Sequence, residues 1–531
     1  MLLLNLRQSQ TFHSTLALAV IFCWIGIWSI PELFNDRIFP YDSALFAANG
    51  AFFLTLFSDI FNFLSKPIEW MFEYYEQYPA LAVRRHPPLF GLFESIVYSI
   101  TGVSTFGAKL TNLLFCWFFA VGAYFMCLQF WKSRLIAWCT TLLICSTPAI
   151  WSNMNTIFLD IPCWSFALWA FYFYSKAVEK RSHKSLLAGI ILATLSLYTY
   201  QLTFVAFIGM TLHFFITQYR WLSNKKTVAL IGLAIILIAP LALFNYLLVK
   251  EHVEAASGAT AELFKDFVPI DIDNNKASLS YWLYYIKLLF NHFPLQFLGL
   301  VLWLIFIPWR RPCSKELLFF LCFTASYLIF SWIPSKGLRY GIYIALPLSP
   351  LAILIFVDSV KYILQSKKDE LAPLICVVII SLVSILQALF FYKYPDYLSG
   401  MKQPVETIFS MSVKPQILYV GSFDSGFIFY TRQLDEGRMA RVFRSNIQIE
   451  KPEDLPRFVK ENSINFIVVQ GSEFEGINNY ELYNEVLEKT VVPNQGFRAL
   501  KKFYLLFGSP GEEKTTTLTV YTNEKIKVHD I

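Results

Sequence analysis

Charged residues are scarce in this chain of 531 residues, where Asp, Glu, Lys and Arg together make up only 15%. Hydrophobic residues make up 56%, and the mean hydropathy is +0.48. Soluble globular domains contain about 25% charged residues. The shortage of charge therefore argues against a soluble enzyme and predicts a polytopic membrane protein.

Features of several other protein classes are also missing. None of the nine cysteines forms a CxxC pair, and all lie within or beside apolar runs, so we interpret them as small side chains facing lipid or the core. The chain shows no internal repeat, which would favour a transporter. Its net charge of +6 comes from short loops between apolar runs and reports membrane orientation, so no nucleic-acid partner is expected.

Long apolar runs dominate the first three quarters of the chain. The first run, from about Phe12 to Ile30, lacks a strongly basic start and a small-residue cleavage pattern, so it predicts an uncleaved helix and not a signal peptide. About 16 to 22 residues suffice for one bilayer crossing. Runs that fit this length predict about eleven crossings, near 12–30, 107–130, 135–151, 161–177, 185–201, 203–218, 227–249, 295–308, 316–333, 340–357 and 371–391.

The loops between these runs alternate in charge. Basic clusters such as Lys176 to Lys184 and Arg310 to Lys315 fall on one side, which the positive-inside rule assigns to the cytoplasm. The opposite side then receives a loop over residues 31–105, the Lys336/Arg339 turn and everything after about Tyr392. We therefore predict a multi-pass protein of the cytoplasmic (inner) membrane, with its site and C-terminal domain extracytoplasmic.

Two domains follow from the change in composition. Residues 1–392 are predicted to form the transmembrane domain, including the first external loop, in which Ser43 to Phe57 and Leu89 to Ile100 are expected to lie along the membrane surface. Residues 393–531 are predicted to form a small α/β domain that has no Gly-rich phosphate loop. Its expected strands are Gln416 to Val420, Arg441 to Phe443, Asn465 to Gln470 and Thr517 to Tyr521, and its expected helices are Glu453 to Glu461 and Tyr480 to Lys489.

Cations lie where the predicted helices meet the outer surface. Lys336 and Arg339, followed by Tyr340, stand at the mouth of a crossing, where charge is unfavourable unless it meets a phosphate, a carboxylate or water. Arg84 and Arg85 belong to the first external loop; with His86 they precede a double proline. The pair is equally explained as an anchor to anionic headgroups. The sequence thus offers two candidate groups of phosphate ligands on one side of the membrane.

Two carboxylates accompany them. Asp42 and Asp160 each stand just before an apolar helix, where a helix N-cap is the common structural explanation. A functional role would require a carboxylate near the water–lipid boundary that takes a proton from a hydroxyl. The Asp271-Ile272-Asp273 segment resembles a metal-binding DxD only superficially, so no metal or other cofactor is predicted, although a divalent metal stays possible.

The ordered series of motifs resembles that of the GT-C membrane glycosyltransferases. It consists of Asp42, His86-Pro87-Pro88-Leu89, Asp160-Ile161-Pro162, Lys336-x-x-Arg339-Tyr340 and Leu346-Pro347-x-x-Pro350. The most similar branch holds the dolichyl-phosphate-mannose protein mannosyltransferases and the bacterial aminoarabinose transferase acting on lipid A. Where many relatives have a Lys after the fifth crossing, this chain reads Leu197-Tyr198-Thr199-Tyr200-Gln201, which alters the number of cations available for the phosphate.

The resemblance implies an inverting transferase that moves a sugar from a polyprenyl phosphate to an acceptor hydroxyl of a lipid, glycan or protein. It implies that Asp42 is the base, Asp160 a supporting carboxylate, and Arg84, Lys336 and Arg339 phosphate ligands. The resemblance also implies that Arg85 and His86 assist in binding the lipid phosphate.

Two other classes stay open. A transporter or flippase would place charges inside the crossings and show internal symmetry. A membrane scaffold would leave the clustering of ionisable residues on one side unexplained.

Overall fold

The computed structural model describes residues 2–38, 42–81, 86–255, 278–307, 313–333, 336–364, 371–391, 397–449, 451–471, 485–508 and 512–523. The chain is mostly helical, with a small sheet in its C-terminal part. In chain order the helices up to the last apolar one are α1 Leu2–Leu33, α2 Asp42–Ser58, α3 Ile60–Ser65, α4 Pro67–Gln77, α5 Leu89–Thr101, α6 Thr105–Trp131, α7 Arg134–Ser146, α8 Pro148–Met154, α9 Asp160–Lys180, α10 His183–Thr199, α11 Phe204–Gln218, α12 Lys225–Ala255, α13 Leu279–His292, α14 Pro294–Phe306, α15 Ser314–Trp332, α16 Leu338–Leu364 and α17 Leu371–Phe391.

Many of these helices are long and apolar enough to cross a membrane. Among the described residues six candidate spans meet that test, and two bent pairs bring the number to eight if each pair counts as one span. The pairs are α7 with α8, bent by 71°, and α13 with α14, bent by 115°. The other three predicted crossings coincide with α9, α10 and α17. The polytopic helical fold is therefore confirmed, and the count of eleven stays a prediction.

One compact unit consists of residues 1–29, 113–154 and 159–393, which hold most of the apolar helices. Small residues let these helices approach closely, as is common where helices pack within a membrane. A Cβ added at Gly209 of α11 would collide with the backbone of Cys322 in α15, and one added at Gly299 of α14 would collide with Ala352 in α16. Each glycine therefore fixes a tight contact between two helices that are distant in sequence.

The second unit consists of residues 30–112, 155–158 and 394–531. The first external loop, which the sequence analysis grouped with the membrane helices, thus packs with the C-terminal residues. The further helices there are α18 Lys402–Met411, α19 Asp424–Leu434, α20 Ser445–Gln448, α21 Leu455–Glu461 and α22 Val492–Asn494. The strands are β1 Tyr397–Ser399, β2 Gln416–Val420, β3 Arg441–Arg444, β4 Phe466–Gln470, β5 Phe497–Gly508 and β6 Lys514–Asn523.

The six strands form one sheet in the order β1-β5-β6-β4-β2-β3. The strand β2 pairs in parallel with β3 and β4, and the remaining pairs are antiparallel. The four strands expected from sequence are confirmed as β2, β3, β4 and β6, because their alternating or continuous apolar runs become buried in the core. The helix expected from Glu453 is α21 preceded by a short 3₁₀ turn, whereas residues 480–484 lie outside the described part.

Helix α2 differs from the expectation that Ser43 to Phe57 lie along the membrane surface. Its bounds agree, but most of its side chains are buried inside the protein, because α5 and α19 pack against it. Exposed large apolar side chains are found on its neighbours instead. They include Phe61 and Leu64 of α3 and Ile68 and Phe72 of α4. In α5 the outward side chains Ile96 and Ile100 fit the expected position at the membrane surface.

Candidate active site

The first group of predicted site residues contains an ion pair with a buried carboxylate. The side chain of Asp160, the first residue of α9, is fully buried, and its Oδ2 accepts a bond of 2.5 Å from Arg339 Nε. Tyr343, one turn further along α16 than Arg339, donates its hydroxyl to Asp160 Oδ1 at 2.8 Å. The residue at the N-cap of α9 is Leu159. Asp160 therefore joins α9 to α16, and the N-cap explanation does not describe it.

Two further side chains lie beside this pair. The guanidinium carbon of Arg339 lies 5.1 Å from the centre of the Tyr200 ring, a distance at which a cation is attracted to an aromatic face. The sulfur of Cys163 lies 3.5 Å from the Tyr343 hydroxyl and 3.1 Å from the Asp160 carbonyl oxygen. The side chain of Arg339 retains 23% exposure, although its partner carboxylate has none. The guanidinium is thus held by Asp160, while part of the Arg339 side chain stays exposed.

Lys336 is bonded differently. It is only 3% exposed, and its ammonium donates to the carbonyl oxygens of Phe330 at 2.9 Å and Ser331 at 2.6 Å. Both carbonyls belong to the last turn of α15, where a cation stabilises the negative end of the helix dipole. The same ammonium lies 4.1 Å from the centre of the Tyr281 ring. These contacts are those of a residue that caps a helix.

Tyr340 lies between the two cations in sequence and belongs to the same local structure. Its ring stacks on that of Phe330 with centroids 5.1 Å apart and planes inclined by 13°. The ring of Tyr343 contacts the same phenylalanine at 5.5 Å. The beginning of α16 is therefore held against the end of α15 by aromatic stacking as well as by Lys336, and this contact fixes the backbone from which Arg339 projects.

The second group of predicted residues lies in the other compact unit. Asp42 is the half-buried first residue of α2. Phe46 follows one turn later, and its ring meets that of His86 edge to face at 5.2 Å. Residues four apart share one face of a helix. His86 therefore packs on the face of α2 that carries Asp42.

Other predicted residues lie outside the described part of the chain. They are Arg84 and Arg85, together with Asp271 and Asp273 of the weak DxD segment. Within the described residues, no cluster of three or more His, Cys, Asp or Glu side chains has the arrangement of a metal site.

Sequence reasoning missed Tyr343 and assigned no role to Tyr200. A signal for Tyr343 was present, since it stands four residues after Arg339 in a predicted helix and so shares its face. Tyr200 had been noted only as part of a segment where relatives carry a Lys. Its contact with Arg339 depends on where the residue after α10 lies relative to the beginning of α16, which no local pattern reveals.

Comparison with known proteins agrees with this architecture. A family model described as dolichyl-phosphate-mannose-protein mannosyltransferase matches residues 85–244, a range that includes His86 and Asp160. The crystal structure of ArnT from Cupriavidus metallidurans in the apo state is similar, with a TM-score of 0.56 and 12% sequence identity over 94% of this chain and 97% of that chain. The chain has an ArnT-like fold. This result confirms the resemblance to the GT-C membrane glycosyltransferases.

A second ArnT structure from the same organism, bound to undecaprenyl phosphate, matches with a TM-score of 0.55 and 11% identity over 96% of this chain and 98% of that chain. Among curated protein sequences, none matches this chain significantly. The similarity is therefore one of fold along nearly the whole length and of sequence along the stretch that the family model covers.

Proposed function

We propose that this protein is an inverting glycosyltransferase that moves a sugar from a polyprenyl phosphate to an acceptor hydroxyl at the outer side of the cytoplasmic membrane. The family match and the ArnT-like fold support a glycosyltransferase that uses a lipid-linked donor. The ArnT structure that holds undecaprenyl phosphate supports the same class of donor. The observation that carries the proposal is the ion pair of Arg339 with Asp160, which fixes the guanidinium of a partly exposed arginine side chain at the end of a membrane helix.

The main requirement of this reaction is stabilisation of the negative charge on the departing phosphate. The bond between the acceptor oxygen and the anomeric carbon forms while the bond from that carbon to the phosphate oxygen breaks, and the polyprenyl phosphate leaves with the electron pair. A fixed cation stabilises the charge that develops on the phosphate. Arg339 suits this role because a guanidinium is always charged and its planar, paired N–H donors match the geometry of a phosphate.

Asp160 and Tyr343 position this arginine. A buried carboxylate that accepts both a guanidinium and a hydroxyl holds the arginine in one orientation. Preorganisation of this kind lowers the reorganisation required when charge develops in the transition state. In this proposal Asp160 is a supporting carboxylate that positions Arg339.

Asp42 is the base in this proposal. A carboxylate beside the acceptor hydroxyl can take its proton as the bond from the acceptor oxygen to the anomeric carbon forms. His86 packs on the same helix face and stays a proposed phosphate ligand. Arg84 and Arg85 stay proposed phosphate ligands on the strength of the motif alone.

Lys336 and Tyr340 have a supporting part in this mechanism. Lys336 would have to leave two carbonyl oxygens and an aromatic ring to reach a phosphate, and it is almost fully buried. We therefore assign Lys336 to the junction of α15 and α16, which fixes the backbone position of Arg339. Tyr340 stabilises the same junction through Phe330.

Transfer from defined donors tests the proposed function. Purified full-length protein is incubated with radiolabelled polyprenyl-phosphate sugars, pentoses and hexoses in separate reactions, and with membrane extract as the source of acceptor. Label is expected to move to a lipid, glycan or protein, and a soluble nucleotide sugar is expected to give no direct transfer. A flippase would move the labelled donor across vesicles without labelling an acceptor, and that result would overturn the proposal.

A further inference from the structure

The C-terminal domain contacts the chain just before Asp42. Ile38 and Leu398 form an antiparallel bridge with both backbone bonds made, Ile38 N to Leu398 O at 3.1 Å and Leu398 N to Ile38 O at 2.7 Å. Leu398 lies in β1, the edge strand of the sheet, and both residues are 1% exposed. Ile38, four residues before Asp42, is therefore paired with an edge of the C-terminal sheet.

Two side-chain contacts strengthen this attachment. The Tyr430 hydroxyl of α19 donates to the carbonyl oxygen of Asp36 at 2.5 Å, and the Tyr430 side chain is buried. The guanidinium of Arg37 lies 4.2 Å from the centre of the Tyr397 ring. Residues 36 to 38 are thus bound to two elements of the C-terminal domain through backbone, hydroxyl and aromatic contacts.

A second attachment lies beyond Asp42, near the other end of α2. Arg432 Nη2 donates to Thr55 Oγ1 at 2.9 Å, and both residues are buried. The same guanidinium donates through Nη1 to the carbonyl oxygen of Asp435 at 3.3 Å and lies 5.6 Å from the Tyr78 ring. Tyr78 in turn donates to Asp435 Oδ2 at 2.6 Å. Helix α2 is therefore tied to α19 by a buried polar network.

We infer that the C-terminal domain acts as a positioning device for the catalytic base: it holds α2 through residues 36 to 38 and through Thr55 and so sets the place of Asp42. This inference rests on the proposed function. A displacement of a reacting group by about 1 Å is enough to lower a rate on the order of a hundredfold. The contacts with α19 therefore act on turnover without touching the substrate.

Four single variants test this role in the full-length protein. Tyr430→Phe removes the contact with Asp36, and Thr55→Val removes the acceptor of Arg432 while keeping the shape of the side chain. Tyr419→Phe is the matched control for the first, because Tyr419 is equally buried and its hydroxyl bonds to Gln470 inside the C-terminal sheet. Thr111→Val is the control for the second, because Thr111 is equally buried and its hydroxyl bonds to the carbonyl of Gly107 in its own helix.

Two measurements are made on each variant: the kcat and KM for a polyprenyl-phosphate sugar, and amide hydrogen exchange in peptides from residues 42–58. Tyr430→Phe and Thr55→Val are expected to exchange faster there and to lose about tenfold in kcat, with KM within twofold of wild type. The controls are expected to change neither quantity more than twofold.

Unchanged exchange in both test variants would overturn the positioning role, and faster exchange with unchanged kcat would overturn its link to catalysis. A wild-type protein that transfers no sugar would contradict the proposed function instead, while the exchange data would still report whether the C-terminal domain holds α2.

Discussion

Arg339 and the fully buried Asp160 form an ion pair of 2.5 Å although 179 positions separate them in the chain. Removing one partner of a buried ion pair leaves the other charge without compensation, which destabilises a protein by about 3–5 kcal/mol. The pair therefore affects both stability and chemistry. Activity measurements on its variants are meaningful only at equal amounts of folded protein.

Replacement of Arg339 tests the phosphate contact. Arg339→Lys is expected to lower the transfer rate on the order of a hundredfold, because an ammonium offers a point charge where a guanidinium offers paired donors. Arg339→Ala is expected to be worse still. Rates are measured at saturating polyprenyl-phosphate sugar, with folded protein quantified by size-exclusion chromatography. Variants within a few-fold of wild type would reduce Arg339 to a structural or headgroup contact.

Replacement of Lys336 by Met separates capping from phosphate binding. The variant keeps the length of the side chain but loses the charged donor to two carbonyls, so a loss of stability of about 2 kcal/mol is expected. The KM for the donor is expected to stay within threefold in the folded fraction. A large rise in KM with unchanged thermal stability would instead make Lys336 a phosphate ligand.

Asp42→Asn tests the proposed base. The variant removes the proton acceptor and keeps the size of the side chain, so turnover is expected to fall by at least about a hundredfold while the donor still binds. Donor binding is measured with a labelled polyprenyl-phosphate sugar, and folding by thermal unfolding. Near-normal transfer by Asp42→Asn would leave this residue only a structural role at the beginning of α2.

Topology decides on which side the chemistry takes place. The alternating basic loops predict Lys225 inside and the residues after Lys393 outside. A phosphatase reporter fused after Ile531 is expected to be active, whereas the same reporter fused after Lys225 is expected to be inactive. The opposite pattern would reverse the sidedness of every proposed site residue.

Glu94 gives a prediction about pH. Its carboxyl is fully buried between α2 and α5, where a Cβ at Gly50 would lie 2.6 Å from Oε2, and burial raises the pKa of Glu94 well above its ordinary value. In the unfolded chain the Glu94 carboxyl ionises at its ordinary pKa near 4.5, whereas in the folded protein it keeps its proton to higher pH. The free energy of unfolding therefore falls as pH rises above about 4.5. Glu94→Gln has the same size and no titration.

Thermal unfolding of detergent-solubilised wild type and Glu94→Gln, compared at pH 5 and pH 8, measures this effect. The variant is expected to gain stability relative to wild type at pH 8 and to show a smaller difference between the two pH values. Parallel pH curves for the two proteins would show that Glu94 does not titrate differently in the folded and unfolded states.

The amino-acid sequence determined the class of the protein and most of its elements. The hydropathy of successive runs predicted the helices, since the length and polarity of a crossing are dictated locally by the bilayer. Alternation of apolar residues predicted strands such as Gln416 to Val420 in the same way. The collection of ionisable residues at helix ends also followed from sequence, because charge is excluded from the apolar interior of a span.

Only the tertiary structure decided what those residues contact. The sequence motif predicted that Lys336 and Arg339 are two equivalent cations. In the structure Lys336 donates to the end of α15, whereas Arg339 donates to Asp160. Tertiary packing also joins the loop that carries Asp42 to the C-terminal domain, through pairs such as Thr55 and Arg432. Such pairs join residues far apart in the chain, and local propensity and hydropathy carry no information about which distant helix supplies the partner.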